Sequence, residues 1–129
     1  MIKNISFNFP KKNYVITGAG KGIGYSVLKK LYQSGANIAP ITRSKSDLKK
    51  IKNKFSSNRV ISFCGDVSNN NDRVSFFNLV KKKMKHIDGL INNAGIRQRK
   101  EFKKISEKEL DNIYEINIKS IFFLTQLFF

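Results

Sequence analysis

The sequence predicts an α/β fold built on a doubly wound parallel sheet. Three observations carry that prediction. Short β-branched apolar runs alternate with longer amphipathic stretches, a glycine-rich turn joins the first run to the first amphipathic stretch, and the connections are short. Such alternation implies βαβ units, parallel pairing and right-handed crossovers.

Tyr14–Thr17 reads as the first strand. From Gly22 to Ser34 the apolar residues Ile23, Val27, Leu28 and Leu31 fall on one helical face, and Gly35 is placed to end the helix. Asn37–Thr42 is the second strand, with Pro40 an awkward member because proline removes a ladder donor. Ser46 to Phe55 carries Leu48, Ile51 and Phe55 at helical spacing, with Ser46 as its cap. Val60–Cys64 is the third strand. The spacing then predicts a helix over 71–86 that buries Val74, Phe77, Val80 or the Lys81 stem, and Met84. Gly89–Asn92 is a short fourth strand. The last segment opens with Ser106-Glu107-Lys108-Glu109 at capping-box spacing. It runs on as one helix, with Leu110, Ile113, Ile116 and Asn117 near one face.

The 129 residues suit one domain with a modest core, at 40% hydrophobic and 26% charged residues. No repeat, low-complexity tract or interdomain linker interrupts them. The opening MIKNISFNFPKKN has no apolar leader core, and the longest apolar run, Ile121 to Leu124, is too short to span a bilayer. A single cysteine, Cys64, forbids an internal disulfide and reads as a small buried strand residue, so the cytoplasm is expected. The formal net charge of +16 invites a nucleic-acid partner. Its lysines, however, are spread along helix faces without an aromatic-interleaved stripe, which argues for solvated surfaces.

The stretch TGAGKGIG, Thr17 to Gly24, places four glycines in eight residues between a strand and a helix. A pyrophosphate site needs such a turn: glycines let phosphates approach the backbone, and the helix N-terminus offers free N–H groups. The spacing meets neither G-x-G-x-x-G nor the P-loop pattern.

Together with Asp66-Val67 after strand three, Asn92-Asn93-Ala94-Gly95 after strand four and Asn117 within EINIKS, that turn resembles the N-terminal half of a short-chain dehydrogenase/reductase. The resemblance covers nearly the whole chain. It implies a Rossmann-like NAD(P)-binding domain over residues 1–129, truncated after about four strands with its C-terminal half absent. Gly18, Gly22 and Gly24 would then line the pyrophosphate, with Ile23 near the nicotinamide half. Asp66 would bond the adenine amino group, or else serve as a turn or cap before Ser68, while Val67 packs on the ring. Asn92 would hold strands together, whereas Asn93, Ala94 and Gly95 pass the ribose. Asn117 would be the catalytic member present, positioning a water in the proton relay.

Strand two ends Ile41-Thr42-Arg43, with threonine where an acid would favour NAD(H), and Lys21 points toward the same region in relatives that use NADP. Arg43 and Lys21 together imply NADP(H) in preference to NAD(H). No metal ligands are expected.

The family's chemistry moves hydride to or from a carbonyl or alcohol and needs a tyrosine and lysine in Y-x-x-x-K spacing. Only Tyr25 and Lys29 have that spacing, and they follow the phosphate turn rather than a fifth strand. The chain as written is therefore expected to bind cofactor without turning over, and to belong to a longer homo-oligomeric enzyme, a tetramer or dimer. Gly95-Ile96-Arg97-Gln98-Arg99 is similar to sugar-acid and polyol dehydrogenases, with a 3-oxoacyl-carrier-protein reductase as the other substrate reading. A non-catalytic nucleotide-binding module is the alternative function.

Overall fold

The computed structural model describes residues 6–129; the first five residues of the opening segment read as leaderless lie outside the described residues. Four parallel strands, β1 (Asn13–Thr17), β2 (Asn37–Thr42), β3 (Phe63–Cys64) and β4 (Gly89–Ile91), form one sheet in the order β3-β2-β1-β4. Helices α1 (Gly22–Gln33), α2 (Lys45–Lys54) and α3 (Asn70–Lys83) connect them, and α4 (Glu107–Tyr114) and α5 (Ser120–Phe128) follow. This is the doubly wound α/β architecture the alternation predicts and the Rossmann-like one the resemblance implies.

Alternate residues of each strand face opposite layers. Ile16 and Ile38 point to α1 and α2, where they meet Leu28, Ile51 and Phe55. Val15, Ala39 and Ile41 point the other way, to Phe76, Val80, Met84, Ile116 and Leu124. Because both faces are covered, β1 and β2 read as continuous apolar runs.

Pro40 is fully buried in β2, and the structure accommodates it at the expense of β3. Ile38 bonds toward the β3 side, donating to Arg59 O and accepting from Ile61 N, and Gly65 N donates to Thr42 O. Pro40 faces that same side and has no N–H to give. The predicted strand Val60–Cys64 is consequently reduced to a bridge between Ile38 and Val60 and the pair Phe63–Cys64. Cys64 is half-buried on this edge strand rather than a core residue.

Three further expectations are corrected. The cap of α2 is Ser44, whose hydroxyl accepts from Asp47 N at 3.2 Å, so the helix has already begun when Ser46 is reached. In α3 Val80 and the cap residue Met84 are buried as predicted, but in the first turns the buried residues are Arg73 and Phe76, one position before the predicted Val74 and Phe77, because the Arg73 side chain turns inward. Ile23 overhangs the first turn of α1 and is 77% exposed, so it does not join the buried helix face.

The last helix runs on without a break from Glu107 to Phe128, as the sequence predicts, but it changes pitch midway. Between α4 and α5 lies a π-helical segment, Glu115–Lys119, closed by Ser120 N donating to Glu115 O. Its wider turn carries Asn117.

Candidate functional site

A cleft of about 370 Å3 opens at the C-terminal ends of the strands, where the sheet order reverses between β2 and β4 around β1. In open α/β sheets this is the position where ligands bind. Of the residues singled out in the sequence, Gly18, Lys21, Arg43, Asp66, Val67, Asn93, Ala94 and Gly95 line it.

Its floor is tied together by Thr17. The buried threonine hydroxyl accepts from Asn93 N at 3.0 Å and from Ala94 N at 2.9 Å. The Asn93 side chain returns the tie, donating to the carbonyls of Thr17 and Gly18, each at 3.1 Å. The bracing expected of Asn92 therefore falls to Asn93. Asn92 instead faces α5, where its amide donates to Thr125 Oγ1 at 3.4 Å while its Oδ1 is buried without a partner among the described residues.

The glycines of the turn do different things. Gly18 has φ 65°, and a Cβ there would lie 2.9 Å from Ala94 Cα. Gly22 has φ 58° with open space around it, so only its backbone conformation demands glycine. A Cβ on Gly24 would overlap the Gly18 carbonyl oxygen and the Asn93 amide, so its smallness lets α1 pack onto the turn. Lys21 is the N-cap residue of α1, and no side-chain oxygen caps that helix. The first turn of α1 thus presents N–H groups and a positive dipole end beside the open face of Gly22.

Arg43 Nη1 stands 3.9 Å from Asp66 Oδ2 across the cleft. The other carboxylate oxygen of Asp66 accepts from Ser68 N at 2.9 Å and Ser68 Oγ at 2.7 Å. The turn reading of Asp66 is thus realised, with one oxygen left facing the cleft. Asn117 does not line the cleft but grips a residue that does. Its Oδ1 accepts from Ile96 N at 2.8 Å, and its Nδ2 donates to Ile96 O at 2.7 Å.

Sequence reasoning missed several lining residues, among them Gly20, Asp47, Gly65, Ile96 and Ile116. Asp47 was findable, since Ser44-Lys45-Ser46-Asp47 has the spacing of a helix start. Its carboxylate packs over Gly20, where a Cβ would lie 2.6 Å from Asp47 Cβ. Tyr25 sits away from the cleft, edge-on to Phe55 with Lys50 over its ring at 4.0 Å.

A family model described as short chain dehydrogenase matches residues 12–129. Over 128 residues the chain is 31% identical to a 2-dehydro-3-deoxy-D-gluconate 5-dehydrogenase from Dickeya dadantii, covering 98% of this chain and 49% of that protein. It is 33% identical over 117 residues to a 3-oxoacyl-(acyl-carrier-protein) reductase from Buchnera aphidicola, covering 90% of this chain and 47% of that one. Among solved structures, a short-chain dehydrogenase/reductase of the glucose/ribitol dehydrogenase type from Brucella melitensis superposes with a TM-score of 0.91 at 27% identity. That match covers 96% of this chain and 53% of its counterpart. The chain spans about half the length of these relatives.

Proposed function

The chain belongs to the short chain dehydrogenase family, and from that premise we propose that it is the cofactor-binding half of an NADP(H)-dependent oxidoreductase acting on a carbonyl or alcohol. The observation that carries this reading is that Lys21, the N-cap residue of the uncapped α1, lines one cleft together with Gly18 and Arg43. A pyrophosphate fits the helix start, with Gly18, Gly22, Ile23 and Gly24 supplying backbone, and a ribose 2′-phosphate fits the two cations. Asp66 and Val67 would take the adenine; Asn93, Ala94 and Gly95 would pass the ribose. The bound nicotinamide would supply hydride chemistry.

Asn117 acts as a positioning residue. Because both ends of its amide are committed to Ile96, it holds the loop after β4 in place, and a relay water would be held through that loop and the wide helical turn. The names of the relatives favour a sugar-acid or an acyl-carrier-bound substrate. The exposed Arg97 and Arg99 suit a carboxylate. The full-length enzyme is proposed to be a cytoplasmic homo-oligomer, in keeping with the exposed Tyr114, Ile118 and Phe122 on the last helical segment.

Asp47 favours a second reading, NAD(H), since a carboxylate in the same cleft wall could accept from a ribose 2′-OH. Fluorescence titration decides between them. NADPH is expected to bind about tenfold or more tighter than NADH, the worth of one charge-assisted contact, and Arg43→Ala to abolish the difference. Equal affinities unchanged by Arg43→Ala would overturn the NADP(H) assignment.

A further inference from the structure

At the opposite end of the sheet, against the N-terminal ends of β1 and β2, lies a second cavity of about 260 Å3. Lys11, Arg59, Lys83, Lys85 and His86 line it, and no carboxylate is among its described lining residues. The acid adjacent to it, Asp88, is already satisfied. It pairs with Lys12 at 2.8 Å and His86 Nε2 at 3.2 Å and accepts from Asn13 N at 2.8 Å. Arg59 is also committed: it donates to the Tyr32 and Ala36 carbonyls at the end of α1 and lies 4.1 Å over the Tyr32 ring.

Lys11, Lys83 and Lys85 remain, with no ion pair among the described residues. Attraction to a helix C-terminus accounts for Lys83, in the last turn of α3. It does not account for Lys85, past the cap at Met84, or for Lys11, on another segment. Lys11 moreover holds φ 63°, a left-handed conformation that side chains other than glycine rarely adopt. The floor between them is rigid and polar. Asn37 Nδ2 donates to Asn13 Oδ1 at 2.9 Å, and Asn13 Nδ2 donates to His86 O at 2.9 Å.

We propose that this cavity binds a small phosphate-bearing anion with at least two negative charges. These exposed lysines line one cavity with no counter-ion among the described residues, and an anion seated there would offset their mutual repulsion. Lysine binds phosphate as a point charge, without needing the planar fork by which arginine pairs with its anions.

The test is calorimetric titration of inorganic pyrophosphate into the full chain, with inorganic phosphate as the singly substituted comparison. Pyrophosphate is expected to bind more tightly than phosphate, and Lys11→Gly and Lys85→Ala each to weaken it by about three- to fivefold. Arg43→Ala should leave these losses in place, which separates the cavity from the cleft across the sheet. Glycine suits the left-handed backbone at position 11, so Lys11→Gly should keep or raise the melting midpoint and exclude misfolding as the cause. Pyrophosphate affinity indifferent to both lysine variants would overturn the proposal. So would binding of duplex DNA that falls in step with pyrophosphate binding, because the face would then serve nucleic acid.

Discussion

Gly22 and Gly24 stand two residues apart and are small for opposite reasons. At Gly22 a side chain would meet nothing, yet the backbone is left-handed; at Gly24 the backbone is ordinary helix and the space is filled by Gly18 and Asn93. Gly22→Ala should therefore cost about 1 kcal/mol of backbone strain while keeping the Thr17–Asn93 ties. Gly24→Ala should cost about 1–3 kcal/mol through overpacking and displace Asn93. Urea denaturation of the two variants checks the first contrast, and the chemical shifts of the Asn93 side-chain amide check the second. The glycine pattern was legible as a ligand-approach turn because it follows a strand. Which glycine serves which purpose was not, since that depends on Asn93, 75 residues beyond Gly18. The same holds for Asn92 and Asn93, whose strand-bracing role depends on which of the two faces Thr17. Arg73 illustrates another limit. Its cation reads as a surface group, yet it is buried with Nη1 donating to Val67 O at 2.7 Å, and so moves the buried face of the first turns of α3 by one position.

Among the elements, the long helices were legible and β3 was not. Amphipathic spacing fixes α1 and α2 within a residue or two, because core burial on one side demands it. The shortness of β3 depends on where Pro40 points its missing donor, a matter of pairing register. The capping box at α4 was also readable and carries a pH signature. Glu109 pairs with Lys100 and accepts from Ser106 N and Ser106 Oγ, and these contacts hold its carboxyl well below the usual range, at about 2. A carboxylate lowered on folding stabilises the fold above its ordinary pKa, and that contribution disappears as pH falls toward the folded value. Thermal melts from neutral pH downward should therefore show Glu109→Gln melting below the parent protein at neutral pH, with the gap closing between the ordinary carboxylate range and about 2. The π-helical segment, by contrast, gave no signal beyond the asparagine at its centre. An apolar helical pattern continues through it unbroken, and the widened turn is explained by Asn117 reaching the Ile96 backbone at both ends.

In the whole molecule, two apolar layers sandwich one sheet, and both were legible in the strand pattern as runs without alternation. Neither the candidate cleft nor the cationic cavity was legible as a shape, because each gathers residues from distant parts of the chain. Those distances set the order in which the molecule comes together. The β1–β2 pairing joins residues 24 apart, as the Asn13–Asn37 contact does, and α1 packs on it locally. The Thr17–Asn93 tie spans 76 residues. Closing the longer loop costs about 1 kcal/mol more in chain entropy, and contacts of such separation form late. In pulse-labelled hydrogen exchange during refolding, the Asn93 and Ala94 amides should gain protection after those of β2. The floor of the cleft therefore sets after the β1–β2 pair, so a chain able to hold a ligand there has already built that pairing and the α1 packed on it.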